Sequence, residues 1–380
     1  MNKTVAIIYN ASENAYKIKQ KLIFLLKENN YDVIVIAPFD RYSDKFSELG
    51  VSYFRLDMNR KGENLIEELL LIAKFVKVLK LTAPDVILNF TIKPNLYGSI
   101  AAAILSKPTI CNVTGLGTVF IKSGNSLLFV KLLYKIAFKF SSKIFFQNID
   151  DKNLFDNLKL VCPKKSELIP GDGVDIDLFS PSFPQSRFDE KVVFLFIGRI
   201  LRDKGVMEFV GAAKLLIEKY GNVEFQILGG VDEGNATAIS LEEVMQWQSA
   251  GIINYLEYTD DVRPFLANAD VVVLPSYREG MPRTILDAAA MGTPVIVTDV
   301  PGCRHAVIHG ETGYLCKVQD INSLADAMEN MLNAGSDQRK LLGNNGRKMI
   351  VNEFDEKIVL KKYLETIAAI MQTTDDVKLD

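Results

Sequence analysis

Val192-Val193-Phe194-Leu195-Phe196-Ile197-Gly198-Arg199, followed by Lys204-Gly205 at the head of a helical pattern, is the stretch whose reading decides the fold. Six consecutive apolar residues, without polar alternation, are expected of a strand buried on both faces of a parallel sheet. Gly198 lets the backbone turn sharply where that strand ends. Arg199 and Lys204 are then two cations at a strand–helix switch, where open α/β sheets bind ligands and a helix N-terminus favours anions. A diphosphate suits this place, although a charged, solvated loop would carry the same residues.

The same grammar extends in both directions. Strands are expected at Thr4–Tyr9, Asp32–Ile36, Asp85–Phe90, Thr109–Val113, Lys143–Asn148, Val223–Leu228, Val271–Leu274 and Pro294–Thr298. Helical patterns fall between them, at Tyr16–Asn29, Asn64–Leu81, Val206–Tyr220 and Ser323–Ala334 among others. Alternation of this kind predicts doubly wound parallel sheets. With 380 residues there is chain for two such domains. The turn-rich passage Ile169–Asp175 and the Ser/Pro-rich segment up to Pro184 place the boundary. The expected division is 1–172, 173–354, a final helix over 355–372 that returns to the first domain, and a tail over 373–380.

Charge is divided between the halves. Residues 1–180 carry 24 Lys+Arg and 18 Asp+Glu, a net of +6, whereas residues 181–380 carry 20 and 29, a net of −9. No acid occurs between Asp85 and Asp150. Within that run Lys131, Lys135, Lys139 and Lys143 repeat at i, i+4 spacing through apolar sequence. Such a helix rests on lipid with its lysines at the phosphates, or is a core helix with one wet face. The four cysteines form no CxxC pair and read as reduced thiols of a cytoplasmic protein. No apolar run reaches membrane-spanning length.

A second motif follows the strand Val271–Leu274, in Ser276-Tyr277-Arg278-Glu279-Gly280-Met281-Pro282-Arg283-Thr284-Ile285-Leu286-Asp287. Gly280 permits close approach of a ligand to the backbone, and Pro282 belongs near the first turn of the next helix. Amides around Met281 and Thr284 would face an anion, and Glu279 would accept from sugar hydroxyls. Asp287 stands about two turns further on if the intervening chain is helical.

Together these motifs resemble the retaining GT-B glycosyltransferases of family 4, with their Gly-Arg…Lys-Gly and Glu-x7-Glu elements. The second acid is Asp287 here, one methylene shorter. The resemblance implies two Rossmann-like domains facing across a cleft, with the donor on the C-terminal one. It implies that Arg199 and Lys204 bind the donor diphosphate, that Glu279 contacts the donor sugar, and that Asp287 takes the ribose. Gly198, Gly280, Met281, Pro282, Arg283, Thr284 and Tyr258 complete the expected donor site. Gly115-Leu116-Gly117-Thr118-Val119-Phe120, and Gly229-Gly230 followed by Asp232-Glu233, bring the chain nearest to bacterial enzymes that extend lipid-linked or surface oligosaccharides.

The resemblance thus implies a hexosyl- or N-acetylhexosaminyltransferase that uses a UDP-sugar and a glycan or polyprenyl-diphosphate-linked acceptor, without a metal or other cofactor. No nucleic acid partner is implied. The expected location is the cytoplasm, with peripheral contact to the inner face of the cell membrane if the lysine-striped helix meets lipid. Asn10, Thr114, Gly115 and Gly117 are expected on the acceptor side. Two departures fall there: Asn10-Ala11-Ser12-Glu13-Asn14 lacks a glycine pair, and residues 1–300 hold no histidine. Asp175-Ile176-Asp177 spells a metal-binding DxD, but in an inter-domain turn. A UDP-sugar 2-epimerase and a non-catalytic partner subunit share the architecture and remain alternatives.

Overall fold

Apolar runs that helices cover on both faces become parallel strands. Residues 2–59, 65–116, 125–181, 191–232 and 234–376 are described in a computed structural model. The chain divides into two units, Met1–Asp172 with Lys357–Asp380, and Gly173–Glu356. The first contains β1 (Lys3–Ile8), β2 (Tyr31–Ala37), β3 (Ser52–Arg55), β4 (Val86–Phe90), β5 (Thr109–Val113), β6 (Lys143–Phe146) and β7 (Ser166–Leu168). Its sheet runs β3-β2-β1-β4-β5-β6-β7, and every pairing is parallel.

The second unit holds β8 (Val192–Ile197), β9 (Val223–Leu228), β10 (Asn254–Tyr255), β11 (Val271–Leu274), β12 (Val295–Thr298) and β13 (Gly313–Cys316). Its order is β10-β9-β8-β11-β12-β13, again parallel throughout. In each sheet the chain winds outward one way, returns to the middle and winds out the other. The order therefore reverses between β1 and β4, and between β8 and β11. Those are the crevices where an open α/β sheet offers loops to a ligand.

The strands not foreseen are β3, β7, β10 and β13. All four lie at sheet edges, where only part of each strand is covered, so Ser52–Arg55 and Gly313–Cys316 carry no continuous apolar run.

The last helix, Glu356–Asp376, buries Val359, Tyr363, Ile367 and Met371 against Val5, Ile7, Val35 and Phe90 of the first sheet. It continues four residues past the expected end, through half of what reads as a tail. Tyr363 is its anchor. Its hydroxyl donates to Asn112 Oδ1, and its ring meets Phe145 edge-on at 5.5 Å. Asn112 in turn donates to the Asn89 carbonyl at 2.9 Å, so the helix is tied to two strands through one buried amide.

Truncating this anchor removes a ring and orphans a buried oxygen. Tyr363→Ala should lower stability to urea by about 3–5 kcal/mol, whereas Tyr363→Phe, which keeps the ring, should cost only about 1 kcal/mol. Equal effects would mean that packing of the final helix does not carry its attachment.

Candidate active site

β8 and β11 are neighbours, and the loops leaving their carboxyl ends are locked together. After β8 the chain makes one tight turn, Arg202–Lys204, and enters the helix Val206–Lys219 through Gly205. Gly205 has a φ of 75°, and a Cβ there would stand 2.0 Å from the Pro275 carbonyl oxygen. Only glycine permits that approach. The amide of Tyr277 donates to the Asp203 carbonyl at 2.9 Å, and the Ser276 hydroxyl donates to the same oxygen at 3.2 Å. Tyr277 Oη donates to Glu208 Oε1 at 2.8 Å, tying the loop to the adjoining helix as well.

This seam brings Lys204 and Glu279, 75 residues apart in sequence, into a direct ion pair that is largely buried. The Cys303 thiol lies beside them. Burial pushes its pKa well up, Glu279 adds to the rise, and Lys204 opposes it. Arg199 does not join the pair. Its Nη1 lies 3.1 Å from Asp232 Oδ2, with both side chains about half exposed. Asp232 was not among the expected donor-site residues, and only its place two residues after Gly230 pointed to it.

The chain from Glu279 to Pro282 is not helical, which corrects the expected spacing. Pro282 is the N-cap, at φ −76° and ψ 98°, and the helix is Arg283–Ala290. A residue before proline is disfavoured in the helical region, so the helix starts only after Pro282. Asp287 is consequently one turn from Arg283, not two helical turns from Glu279. No side chain caps this helix, and Gly280 and Met281 lead into its open end. The Glu279 amide donates to the Pro301 carbonyl at 3.2 Å, placing the loop after β12 against the motif.

Asp287 is buried, with Oδ2 3.7 Å from Arg283 Nε. Its Oδ1 has no hydrogen-bond partner. Burial raises its pKa to about 7; Arg283 opposes the rise, while Asp175 and Glu356 add to it. Tyr258 lies near the end of β9, its Cβ 3.8 Å from a Cβ placed on Gly230. It is exposed, and its hydroxyl donates to Asp260 Oδ1 at 2.7 Å. Asp175 Oδ1 accepts the amides of Asp177 and Leu178 at 3.2 and 3.0 Å, so the DxD run forms a capped turn. Among the described residues, no three His, Cys, Asp or Glu side chains are grouped to hold a metal ion.

In the first unit the expected residues follow two strands of one sheet. Asn10 follows β1, while Thr114 and Gly115 follow β5 with β4 between. Gly117 lies outside the described residues. The open end of the helix Ser12–Glu28 is already served, because the Glu13 amide donates to Asp40 Oδ2 at 2.9 Å. The lysine stripe needs correction too. The helix Asn125–Phe140 carries Lys131, Lys135 and Lys139, but Lys143 opens β6 and pairs with Glu167. Tyr134, Ala137 and Phe138 face inward, whereas Leu128, Phe129, Leu132, Ile136 and Phe140 are exposed.

Two parallel sheets thus bring a cation and a carboxylate together at the second switch point. Residues 5–148 match the family model described as glycosyl transferase 4-like. Residues 180–349 match that of glycosyl transferases group 1. The chain belongs to this family. It is 30% identical, over 95% of its own length and 97% of the other's, to an N,N'-diacetylbacillosaminyl-diphospho-undecaprenol alpha-1,3-N-acetylgalactosaminyltransferase of Campylobacter jejuni. It is 27% identical, over 87% of each chain, to a UDP-Gal:alpha-D-GlcNAc-diphosphoundecaprenol alpha-1,3-galactosyltransferase of Escherichia coli. The solved structure of Anabaena HepE in complex with UDP and glucose superposes with a TM-score of 0.78 at 18% identity, over 97% of this chain and 100% of that one.

The Asp287 environment has a pH signature. A carboxyl whose pKa is raised on folding stabilises the native state below its unfolded value of about 4, and that contribution is lost as pH rises through about 7. Stability to urea should therefore fall between pH 5 and 8 in the wild type and change less in Asp287→Asn. Parallel profiles for the two proteins would show that Asp287 is ionised throughout.

Proposed function

We propose that this glycosyltransferase moves an N-acetylhexosamine or related hexose from a UDP-sugar to a polyprenyl-diphosphate-linked saccharide, with retention at the anomeric carbon. The observation that carries the reading is the Lys204–Glu279 pair at the β8/β11 crevice. A cation and a carboxylate side by side match the two ends of a sugar diphosphate. Lys204 meets the diphosphate, and Glu279 accepts from sugar hydroxyls. The names of the Campylobacter and Escherichia relatives, both acting on diphospho-undecaprenol-linked sugars and one using UDP-Gal, support donor and acceptor classes of this kind.

Chemically, the acceptor hydroxyl oxygen forms a bond to the anomeric carbon while the bond from that carbon to the diphosphate oxygen breaks. The hydroxyl proton passes to the departing phosphate, giving UDP and the glycoside. Attack and departure on one face retain configuration without a protein nucleophile. Lys204, Arg199 and the uncapped N-terminus of the helix Arg283–Ala290 stabilise the charge that develops on the leaving group. Asp287 Oδ1 is the acceptor offered to the ribose. No metal is needed in this scheme.

Lys204→Ala and Glu279→Ala should each lower kcat/KM by about 10²–10³ with unchanged circular dichroism. Turnover should be indifferent to chelator, and NMR of the product should show the donor's anomeric configuration. Wild-type kinetics in both variants would overturn the site, an inverted product the stereochemistry, and chelator-sensitive turnover the metal-free scheme.

The acceptor's lipid also gives the outer face of the helix Asn125–Phe140 a role. Leu128 and Phe140 are 66% and 55% exposed, with Lys135 and Lys139 exposed on the same helix. Apolar side chains among lysines suit an anionic lipid surface. No helix among the described residues is long and apolar enough to cross a membrane. Leu132→Glu combined with Ile136→Glu should reduce co-sedimentation with phosphatidylglycerol vesicles by about tenfold or more and leave donor affinity intact. Undiminished co-sedimentation would remove this face from the membrane contact.

A further inference from the structure

Beside the N-terminal switch point lies a cavity that none of the expected site residues lines. It has a volume of about 150 Å³, and its walls include Asp57, Asn59, Glu68, Leu71, Lys74 and Lys93. Glu68 stands in the first turns of the helix Leu65–Thr82. Lys93 follows β4, the strand at which the sheet order reverses. The two side chains form an ion pair, and Glu68 is 94% buried, with 6% of its surface exposed.

A purely structural pair would use both carboxylate oxygens. Here Glu68 Oε2 is buried without a hydrogen-bond partner, an arrangement that is costly in a folded protein and calls for a ligand or water. Nearby Tyr97 has its pKa raised by burial and by the Glu68 carboxylate, through its charge and a side-chain hydrogen bond. The turn that delivers Lys93 is strained. Thr91 has a φ of 71°, which a β-branched residue rarely adopts, and its hydroxyl is also buried without a partner. Strain and orphaned polar atoms in one turn, at the ligand-binding edge of a sheet, point to function.

We infer that this cavity is a saccharide subsite, in which Glu68 Oε2 accepts a hydroxyl or amide hydrogen of the acceptor's sugar while Lys93 or Lys74 donates to a neighbouring oxygen. The assignment rests on the glycosyltransferase reading above. The lining chemistry selects the ligand. Three carboxylates (Asp57, Glu67 and Glu68) disfavour a diphosphate, and two lysines disfavour a simple cation. Donors interleaved with acceptors match a group that does both, such as a sugar hydroxyl. Leu70 and Leu71 offer an apolar wall for the carbon face of a ring. At about 30 Å³ per liquid water, the space holds several waters' worth of ligand, the scale of one sugar unit.

The test uses the full-length protein with its donor site saturated by UDP. Saturation-transfer NMR with methyl glycosides of N-acetylglucosamine, N-acetylgalactosamine and glucose should detect contact with at least one of them. Glu68→Gln, which keeps shape and loses the charge, should weaken that sugar's binding by about tenfold or more. Lys74→Ala changes an exposed residue and should weaken it too, so it decides the matter should Glu68→Gln fail to fold. No contact by any sugar, or wild-type affinity in the folded variants, overturns the subsite. Calorimetric titration with UDP-sugars is run in parallel. Absent donor binding by the wild type would count against the proposed reaction, whereas normal donor binding with unaltered sugar binding in the variants would count against this cavity alone.

Discussion

The Lys204–Glu279 crevice depends on one close contact, the backbone of Gly205 lying against the carbonyl of Pro275. Two loops from adjacent strands can share a crevice only if nothing stands between them, and at 2.0 Å even a methyl group is excluded. The Tyr277 and Ser276 bonds to the Asp203 carbonyl then fix their register. With the seam closed, Lys204 has little freedom left, and Glu279 becomes its partner. The pair is therefore a product of backbone geometry, and the rotamer entropy of a long cation is spent in folding rather than in binding. A free lysine in that crevice would be partly desolvated without compensation. Glu279 supplies that compensation and holds the lysine in place.

Arg199 is held differently. Its carboxylate partner is half exposed, so water screens the contact and the pair contributes little to stability. The two cations thus divide the work by burial. Lys204 is held in a largely buried pair, and Arg199 in an exposed one that costs little to break. That difference could not be read from the motif, in which both appear as equally spaced positive charges.

What the sequence disclosed follows from how each feature is encoded. Central strands such as Val192–Ile197 and Val271–Leu274 are covered on both faces, so burial is written as an unbroken apolar run and their positions are plain. Edge strands such as Asn254–Tyr255 are written only in their neighbours. The donor residues stood out because glycine, proline and paired charges crowd the ends of buried strands. Glu68 and Lys93 did not, since one of two adjacent acids early in a helix and a lysine before proline look like ordinary surface residues. Only the fold brings them together, 25 residues apart across a crossover. Lys143 failed for the opposite reason: its spacing fitted a helical stripe, but Phe140 ends the helix and Lys143 begins a strand.

The two sheets show how one architecture is made to hold unlike ligands. Each reverses its strand order at a crevice, yet in the first the helix that could receive an anion already has Asp40 at its amides. A phosphate at that end would face the Asp40 carboxylate. The basic excess of the first half lies elsewhere, notably on the helix Asn125–Phe140, with Lys135 and Lys139 set among exposed leucine and phenylalanine side chains. Polar recognition of a sugar beside Glu68 and apolar contact along that helix are then separate tasks of one unit. A lipid-linked saccharide makes both demands at once, because its anchor stays in the bilayer while its sugar must enter a site of alternating donors and acceptors. Leu70 is a wall of the cavity and is itself 56% exposed. The exposed charges of Asp57, Glu67 and Lys74 share that wall, so a ligand entering the cavity meets polar groups beside the leucine.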